Sequence, residues 1–572
     1  MGMDVIDKSQ KISKYIPAAD WLKTYSTKDL QGDFFAGLTV GVMLIPQGMA
    51  YAMLAGLPPV YGLYASLVPL IVYAFLGTSR QLGMGPVAMI SLMIFAGVST
   101  VAEPGSDEYI SLVITLALLT GVIQLLMGLL RLGFLVNLLA HPVIAGFTSA
   151  AAIIIGLSQL QHLLGVSIPP ANQVHLILSG VISEWHHIHL PTLVIGVISI
   201  ALIISAKKIH RMLPGPILAV VIMSLVVWFT GLNEDGVRIL GSVPEGLPAI
   251  VLPFGNTEQI MMLLPLAAAI ALVSFIESFA VAKAIQMKHK NYQLDADQEL
   301  RALGAANIAG SFLQSFTVTG GFSRTAVNDQ SGGKTGVSLL ISALLVGLTL
   351  LFFTPLFYYL PGAVLAAIIM AAVYKLIDLN EAFHLWKLKR ADFLMFTATF
   401  LVTLFIGIIE GIAAGVVISV IVVMYRVSYP HAAVLGRLPG THIFRNVTRY
   451  PDAERFPNTL IIRYDSPLFF ANSQHFRDLI TGKVNLMEDK PENLLLDFSG
   501  ITEVDSSALG VIEEISAEME EKNIRLILCA VKGPVRDMLH KSEVLEKRIP
   551  DQNWFMDVDE ACLKLELSNS TT

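Results

Sequence analysis

QSFTVTGGFSRTAVNDQSGGKTG, residues 314–336, is a polar, glycine-rich stretch set among long apolar runs. Its hydroxyls and glycines lead into a short helix expected over 322–331, beginning near Phe322, Ser323 and Arg324. Such a helix cannot cross a bilayer, which takes about 20 residues. A half-helix that begins inside a membrane protein offers free backbone N–H groups and about half a positive charge to the cavity it faces. A companion segment, QLGMGPVAMISLMI (81–94), has Gly85-Pro86 at its break, with proline just inside a helix start where the missing N–H does no harm. Two broken segments in corresponding halves of a chain point to a transporter's binding site. The alternative reading is a pair of re-entrant loops with a structural role.

Working outward, apolar runs near 34–55, 60–77, 86–101, 109–130, 134–163, 190–206, 214–231, 260–285, 301–315, 322–331, 336–354, 361–376, 391–407 and 411–426 give roughly fourteen segments. The 572 residues are 54% hydrophobic and 15% charged, against about 25% charged in soluble domains. The excess apolar surface must face lipid, which excludes an ordinary soluble enzyme. A net charge of −7 gives no basic footprint for nucleic acid. Two cysteines, Cys529 and Cys562, make neither a disulfide scaffold nor a zinc cluster. No cofactor or metal is expected, and the histidines of 186–189 are a weak metal motif.

Loop charge sets the expected orientation, because Lys and Arg favour the cytoplasmic side. Arg80, Arg131, the Lys207-Lys208-His210-Arg211 cluster, Lys288, Lys290, Lys334 and Lys387-Lys389-Arg390 fall in alternate loops. The opposite loops 100–109 and 164–191 carry no Lys or Arg, and in 232–259 Arg238 is outnumbered by acids. Both termini are therefore expected in the cytoplasm, with the chain multi-pass in a cell's inner (plasma) membrane. Residues 1–31 have no apolar core followed by a cleavage site and read as a cytoplasmic lead-in rather than a signal peptide. The transmembrane part is expected over 32–428, a linker over 429–456, and a tail over 568–572. Across 457–567, strands such as NLLLDFSGI alternate with helical stretches such as SALGVIEEISAEMEEKN, which predicts a small cytoplasmic α/β domain.

Charges within apolar spans are few, and each costs about 2.5–3.5 kcal/mol at the bilayer centre. Glu277 lies well inside one run, near Ser274 and Ser278. It reads either as a structural carboxylate bonded to a neighbouring helix or as a carrier that takes and releases a proton. The next turn offers Ala280 and Val281, which weighs against a sodium site. Arg324 reads as a ligand of an anion or as an anchor at the rim. Two helix N-termini supply about +1 and Arg324 another +1, which suits a divalent oxyanion. Gln47 is an amide among apolar neighbours, and Tyr51 lies one turn further on the same face.

IPQGMAYAMLAGLPPVYGLYASLVP (45–69), GTSRQLGMGPVAMISLM (77–93), ESFAVAKA (277–284) and GGFSRTAVN (320–328) together resemble the SulP family of anion transporters, the sulfate permeases. NLLLDFSGITEVDSSALGVIEEI (493–515) resembles a STAS domain. The resemblance implies about fourteen spans as two inverted seven-span repeats, split into core and gate, with the anion held between the third and tenth segments. It implies substrate contacts from Gln47, Tyr51, Gly85, Val87, Ala88, Phe279, Ser323 and Arg324, and a proton-coupling role for Glu277. It also implies a homodimer and a cytosolic partner for the STAS domain. DSSALG (505–510) places Ser507 at the site that anti-sigma antagonists phosphorylate, although Ala508 stands where they commonly have glycine.

The expected function is secondary active transport of an inorganic oxyanion, foremost proton-coupled sulfate uptake by alternating access. Bicarbonate or dicarboxylate transport, anion exchange, and anion sensing through the STAS domain are the alternatives. No nucleophile, metal or phosphate-loop constellation supports an enzyme.

Overall fold

Ser26 starts the first long helix. Its hydroxyl accepts the Asp29 N–H at 3.3 Å while the Asp29 carboxylate accepts the Ser26 N–H at 3.0 Å, so two otherwise unpaired donors are satisfied reciprocally. The computed structural model describes residues 16–569 apart from 138–139, 169–170, 172, 210–214, 290–291, 457 and 488–489. The start of the expected lead-in, His210 and Arg211 of the basic cluster, Lys290, and the last residues of the tail lie outside the described residues. The chain divides into two compact units, Met1–Ser419 and Val420–Thr572.

In the first unit, α1 (Ala18–Lys23) precedes α2 (Thr27–Leu54), and α3 (Val60–Tyr64) with α4 (Val68–Leu76) forms the second apolar segment. Strand β1 (Met84–Gly85) leads into α5 (Ala88–Val98), followed by α6 (Asp107–Leu129), α7 (His141–Ser158) with α8 (Leu160–Leu164), α9 (Val174–Ser183), α10 (Leu190–Ile209) and α11 (Gly215–Thr230). The second half runs through α12 (Thr257–His289), α13 (Ala296–Ser311), β2 (Thr319–Gly320), α14 (Phe322–Gln330), α15 (Val337–Leu348), α16 (Gly362–Val373), α17 (Leu379–Leu388), α18 (Arg390–Phe405) and α19 (Ile408–Ser428). Each of the fourteen apolar runs carries a helix. Helices α2, α6, α7–α8, α12 and the stretch Val337–Phe357 are long and apolar enough to cross a membrane by themselves.

The packing repeats with a period of seven segments. Helix α2 packs on α15 as α12 packs on α6, and α7 packs on α18 as α16 packs on α10. The second and ninth segments, α4 and α13, meet each other, and so do the third and tenth through β1 and β2. Those two strands are antiparallel, so the halves run in opposite senses. Segments one to four pack with eight to eleven as a core, and five to seven with twelve and thirteen as a gate.

Small residues set the closest approach in the core. A Cβ on Gly304 of α13 would lie 2.5 Å from the Leu125 nitrogen and 2.7 Å from the Gly121 carbonyl of α6. The two backbones touch there, as helices do in lipid, where packing replaces the hydrophobic drive.

Two buried carboxylates tie down the loops beside the half-helices. Glu299 accepts bonds from the Tyr73 hydroxyl (2.7 Å), the Thr78 hydroxyl (2.6 Å) and the N–H groups of Thr78 (2.7 Å) and Ser79 (3.1 Å). Asp33 accepts from the N–H groups of Lys334 (2.6 Å) and Thr335 (3.0 Å) and from the hydroxyls of Thr335 (2.5 Å) and Tyr25 (3.1 Å). Glu299 thereby fixes the loop that enters β1, and Asp33 fixes the loop that leaves α14.

Two short helices were not foreseen. The sequence alone reads 164–191 and 377–390 as loops, yet α9 and α17 lie within them. Each has ten residues, below the length that makes a span signal.

In the second unit six strands form one sheet in the order β4-β3-β5-β6-β7-β8. They are β3 (Ala432–Arg437), β4 (Phe444–Asn446), β5 (Thr459–Tyr464), β6 (Asn493–Asp497), β7 (Arg525–Cys529) and β8 (Trp554–Phe555). Strands β5 to β8 are parallel, and β3 runs antiparallel to β4 and β5. The period of two sorts the core. Leu460, Ile462, Leu494, Leu496, Leu526 and Leu528 join one cluster with α20 (Ser473–Asn485), α21 (Ser506–Glu521), α22 (Gly533–Leu539) and α23 (Glu543–Arg548). Ile461, Leu495, Ile527 and Cys529 face α24 (Val558–Asn569). Strand β6 is buried on both faces, which explains its unbroken apolar run.

The expected linker over 429–456 needs correction, because it contains β3 and β4. Their polar, proline-bounded sequence hid a pairing that is set by β5 across the sheet.

Glu299→Ala should lower the thermal midpoint of the detergent-purified protein, at a cost of about 3 kcal/mol or more, because four buried donors lose their acceptor. Glu299→Gln, which keeps an acceptor oxygen, should lose less in the same melt.

Candidate anion-binding site

The site begins with four residues of paired strand. Met84 lies opposite Gly320 and Gly85 opposite Thr319. The Gly321 N–H extends the pairing to the Gly83 carbonyl at 2.9 Å, and the Gly83 N–H donates to the Thr325 hydroxyl at 2.8 Å. Behind β2, the Asn307 side chain accepts the Val318 N–H at 2.9 Å and donates to Gln124 at 2.9 Å. Gln124 donates in turn to the Ser274 hydroxyl at 2.8 Å, and the Thr319 hydroxyl bonds the Ser274 carbonyl at 2.7 Å. Buried polar groups are thus spent on holding irregular backbone in place.

From this pair the half-helices depart. Their N-caps, Val87 before α5 and Gly321 before α14, have extended backbone and make no side-chain cap bond. The first-turn N–H groups of both helices are therefore unclaimed by caps. A cavity of about 260 Å³ opens in front of them. Gln47, Tyr51, Val87, Ala88, Glu277, Ser323 and Arg324 all line it.

Arg324 is only 2% exposed, and its Nε and Nη2 have no hydrogen-bond partner. Space for it is cut from glycine. A Cβ on Gly321 would lie 2.8 Å from Nη2, and one on Gly83 would lie 2.6 Å from the Arg324 Cβ. Gly85 has φ of +143°, a backbone that side-chain-bearing residues rarely adopt, and sits 3.5 Å from Nη2 by the same measure. Gln47 follows Pro46 inside α2, where proline leaves the Val42 carbonyl without its helical donor and loosens the helix. The Gln47 Oε1 and the Glu277 Oε2 are buried without partners. Glu277 and Tyr51 lie close enough to Arg324 to interact electrostatically, but no ion pair joins Glu277 to Arg324 among the described residues.

A buried guanidinium without a partner costs several kcal/mol unless a ligand supplies the missing charge. Arg324 and two helix N-termini together call for an anion. Ser323 adds a hydroxyl at the same helix start.

Two of the expected contacts are placed otherwise. Phe279 does not line the cavity. It follows Glu277 by two residues, about 200° round the helix, and packs on Phe275 with ring centroids 5.7 Å apart. Gly85 lies behind the wall, as space for Arg324 rather than as a surface.

The facing wall went unforeseen. Ile203 of α10, Gly215 and Pro216 of α11, and Ile368, Ala371 and Val373 of α16 close the cavity from the gate side. These apolar residues look like any lipid-facing ones in sequence, so nothing marks them. A second cavity of about 220 Å³, lined by Val143, Ile144 and Phe147 of α7 and by Val273 and Ile276 of α12, shares Met89, Glu277, Phe322 and Leu376 with the first.

In the second unit Ser507 is exposed, in the first turn of α21. The N-cap Asp505 already accepts the Ala508 N–H at 2.8 Å and the Phe470 N–H at 2.9 Å. A phosphate on Ser507 would meet a carboxylate rather than those donors.

A body of apolar helices broken twice around such a pocket has the build of a transporter, and its relatives are transporters rather than enzymes. The chain belongs to the sulfate permease family, which it matches over residues 30–399, and residues 450–561 match the STAS domain. It is 38% identical over 587 residues to sulfate transporter 4.1, chloroplastic, of Arabidopsis thaliana, covering 98% of this chain and 84% of that protein. It is 36% identical to high affinity sulfate transporter 1 of Stylosanthes hamata, covering 95% and 85%. Among solved structures, the murine anion transporter Slc26a9 in its inward-facing state superposes with a TM-score of 0.89 at 28% identity, covering 98% of this chain and 95% of that one.

Replacing Arg324 separates stability from binding. Arg324→Met should leave the ligand-free protein at least as stable as the wild type, because an unpaired buried charge is removed. The wild type should gain about 2.7 kcal/mol at a hundredfold excess of anion over its Kd, and the variant none. Thermal melts with and without sulfate check both.

Proposed function

We propose that the protein carries sulfate into the cell together with protons, by alternating access of the core against the gate. The observation that carries this reading is the unpartnered Arg324 guanidinium in the cavity wall, flanked by two uncapped helix starts and by Glu277. Relatives named as sulfate transporters across nearly the whole chain support the substrate. Gln47, Tyr51, Val87, Ala88 and Ser323 serve as further contacts.

Coupling follows from electrostatics. When Glu277 is ionised, its charge offsets that of Arg324; when it is protonated, the full guanidinium charge is available to the anion. Proton uptake and anion binding therefore strengthen each other, by the same factor in either order. A divalent anion entering against about 100 mV costs roughly 4.6 kcal/mol. One proton halves the charge moved, so net uptake takes a second proton or a steep sulfate gradient. The gradient, not a cofactor, supplies the energy. Both termini face the cytoplasm of a cell whose plasma membrane holds the chain, as the loop charges support. Pairing into a homodimer and a cytosolic partner for the STAS domain complete the reading.

The test is labelled sulfate uptake into proteoliposomes, with and without an inward proton gradient, for wild type and Glu277→Gln. Wild-type uptake should rise with the gradient, and the variant should lose that dependence while still binding sulfate. Failure to accumulate sulfate would overturn the substrate and bring bicarbonate, fumarate and chloride forward. Full gradient dependence in Glu277→Gln would make the carboxylate structural.

A further inference from the structure

Helices α9 and α17 occupy equivalent places in the two repeats. One joins the fifth and sixth segments, the other the twelfth and thirteenth, and both touch the α7–α18 pair of the gate. Each exposes apolar side chains: Leu176 (48%), Leu178 (40%) and Ile182 (72%) on α9, and Phe383 (70%), Trp386 (54%) and Leu388 (69%) on α17. At ten residues, about 15 Å, neither spans a bilayer, so both suit its interface. In charge they differ. Helix α9, VHLILSGVIS, has no Lys or Arg, whereas α17 carries Lys387 in its last turn and is followed by Lys389 and Arg390.

The N-terminal half of α17 is fixed to α7. Asp378 caps the helix by accepting the Glu381 N–H at 3.0 Å, its own N–H donates to the Ser149 hydroxyl at 3.1 Å, and Glu381 approaches His141 at 3.4 Å. The other half buries Leu385 and leaves Phe383, Trp386, Lys387 and Leu388 exposed. Phe383, Trp386 and Lys387 fall at i, i+3 and i+4 on one face of α17, and Arg390, which opens α18 after the extended Lys389, adds a second cation beside them to complete an exposed stripe. The Arg390 guanidinium lies 5.9 Å from the Trp386 ring centre, and Phe393 meets that ring edge-on at 4.9 Å. Among the described residues no ion pair involves Lys387, Lys389 or Arg390, and all three are exposed.

We propose that this stripe binds the headgroups of anionic phospholipids. Phe383, Trp386 and Leu388 seat at the hydrocarbon boundary, and Lys387, Lys389 and Arg390 pair with the phosphates just above it. Aromatic rings favour that depth, and juxtamembrane cations are drawn to an anionic leaflet. Apolar seating alone accounts for α9, which manages without cations. A soluble acidic partner would have no use for the three apolar groups in the same turn and a half. Since α17 is clamped to α7, a bound lipid holds the gate against the bilayer. This inference does not depend on which anion is carried.

The test uses the full chain in a neutral detergent, titrated with dioctanoyl phosphatidylglycerol and, separately, with the phosphatidylcholine of the same chain length. The wild type should bind the anionic lipid saturably and the zwitterionic one at least tenfold more weakly. Lys387→Gln, Lys389→Gln and Arg390→Gln should each weaken anionic-lipid binding roughly fivefold, and the triple variant about a hundredfold. Trp386→Ala should weaken it without changing the preference between headgroups. If the triple variant fails to fold, the single variants decide. Equal binding of the two lipids, or unchanged binding in the variants, would overturn the proposal. A change of oligomeric state by light scattering with lipid binding intact would assign the stripe to a second copy of the chain instead.

Discussion

Hydrocarbon offers no partner to a bare peptide group, and this chain breaks its helical backbone twice among apolar segments. The pairing of Met84 and Gly85 with Gly320 and Thr319 resolves that conflict. It satisfies the exposed peptide groups of each half with those of the other, so neither half-helix is stable in place alone. Everything functional hangs from it. The helix starts converge because the strands are antiparallel, and Arg324 reaches the cavity because Gly83, Gly85 and Gly321 leave room beside the strands.

The two walls of the cavity divide the work. Among the described residues that line it, the charged and hydrogen-bonding side chains are on the core side, and the gate side presents Ile203, Pro216, Ile368 and Val373. A surface without hydrogen bonds can slide past its partner without breaking any. The polar network of Gln124, Asn307 and Ser274 lies wholly within the core. Bonded and unbonded surfaces are thus segregated between the two walls.

Much of this could be read from residues alone, for definite reasons. Long apolar runs announce helices, and glycine with proline announces their breaks. Gln47, Glu277 and Arg324 stood out because a polar group among apolar neighbours is expensive. Phe279 belongs to the same motif as Glu277, but two residues along a helix is slightly more than a half-turn, so the two side chains point to opposite faces of α12. The gate wall was silent because its apolar residues have no contrast with lipid-facing ones. Helices α9 and α17 were too short for a span, and β3 and β4 owe their strand character to β5 rather than to their own composition.

The sheet of the second unit ends in a three-residue strand at β4 and a two-residue strand at β8. An open edge is an invitation to add another chain's strand, and long flat edges lead to aggregation. Here the long strands β5, β6 and β7 are all interior, and what remains at either rim is too short to template an addition. Association through this domain must therefore go by side chains on its helical faces, where recognition depends on which residues are present rather than on backbone alone.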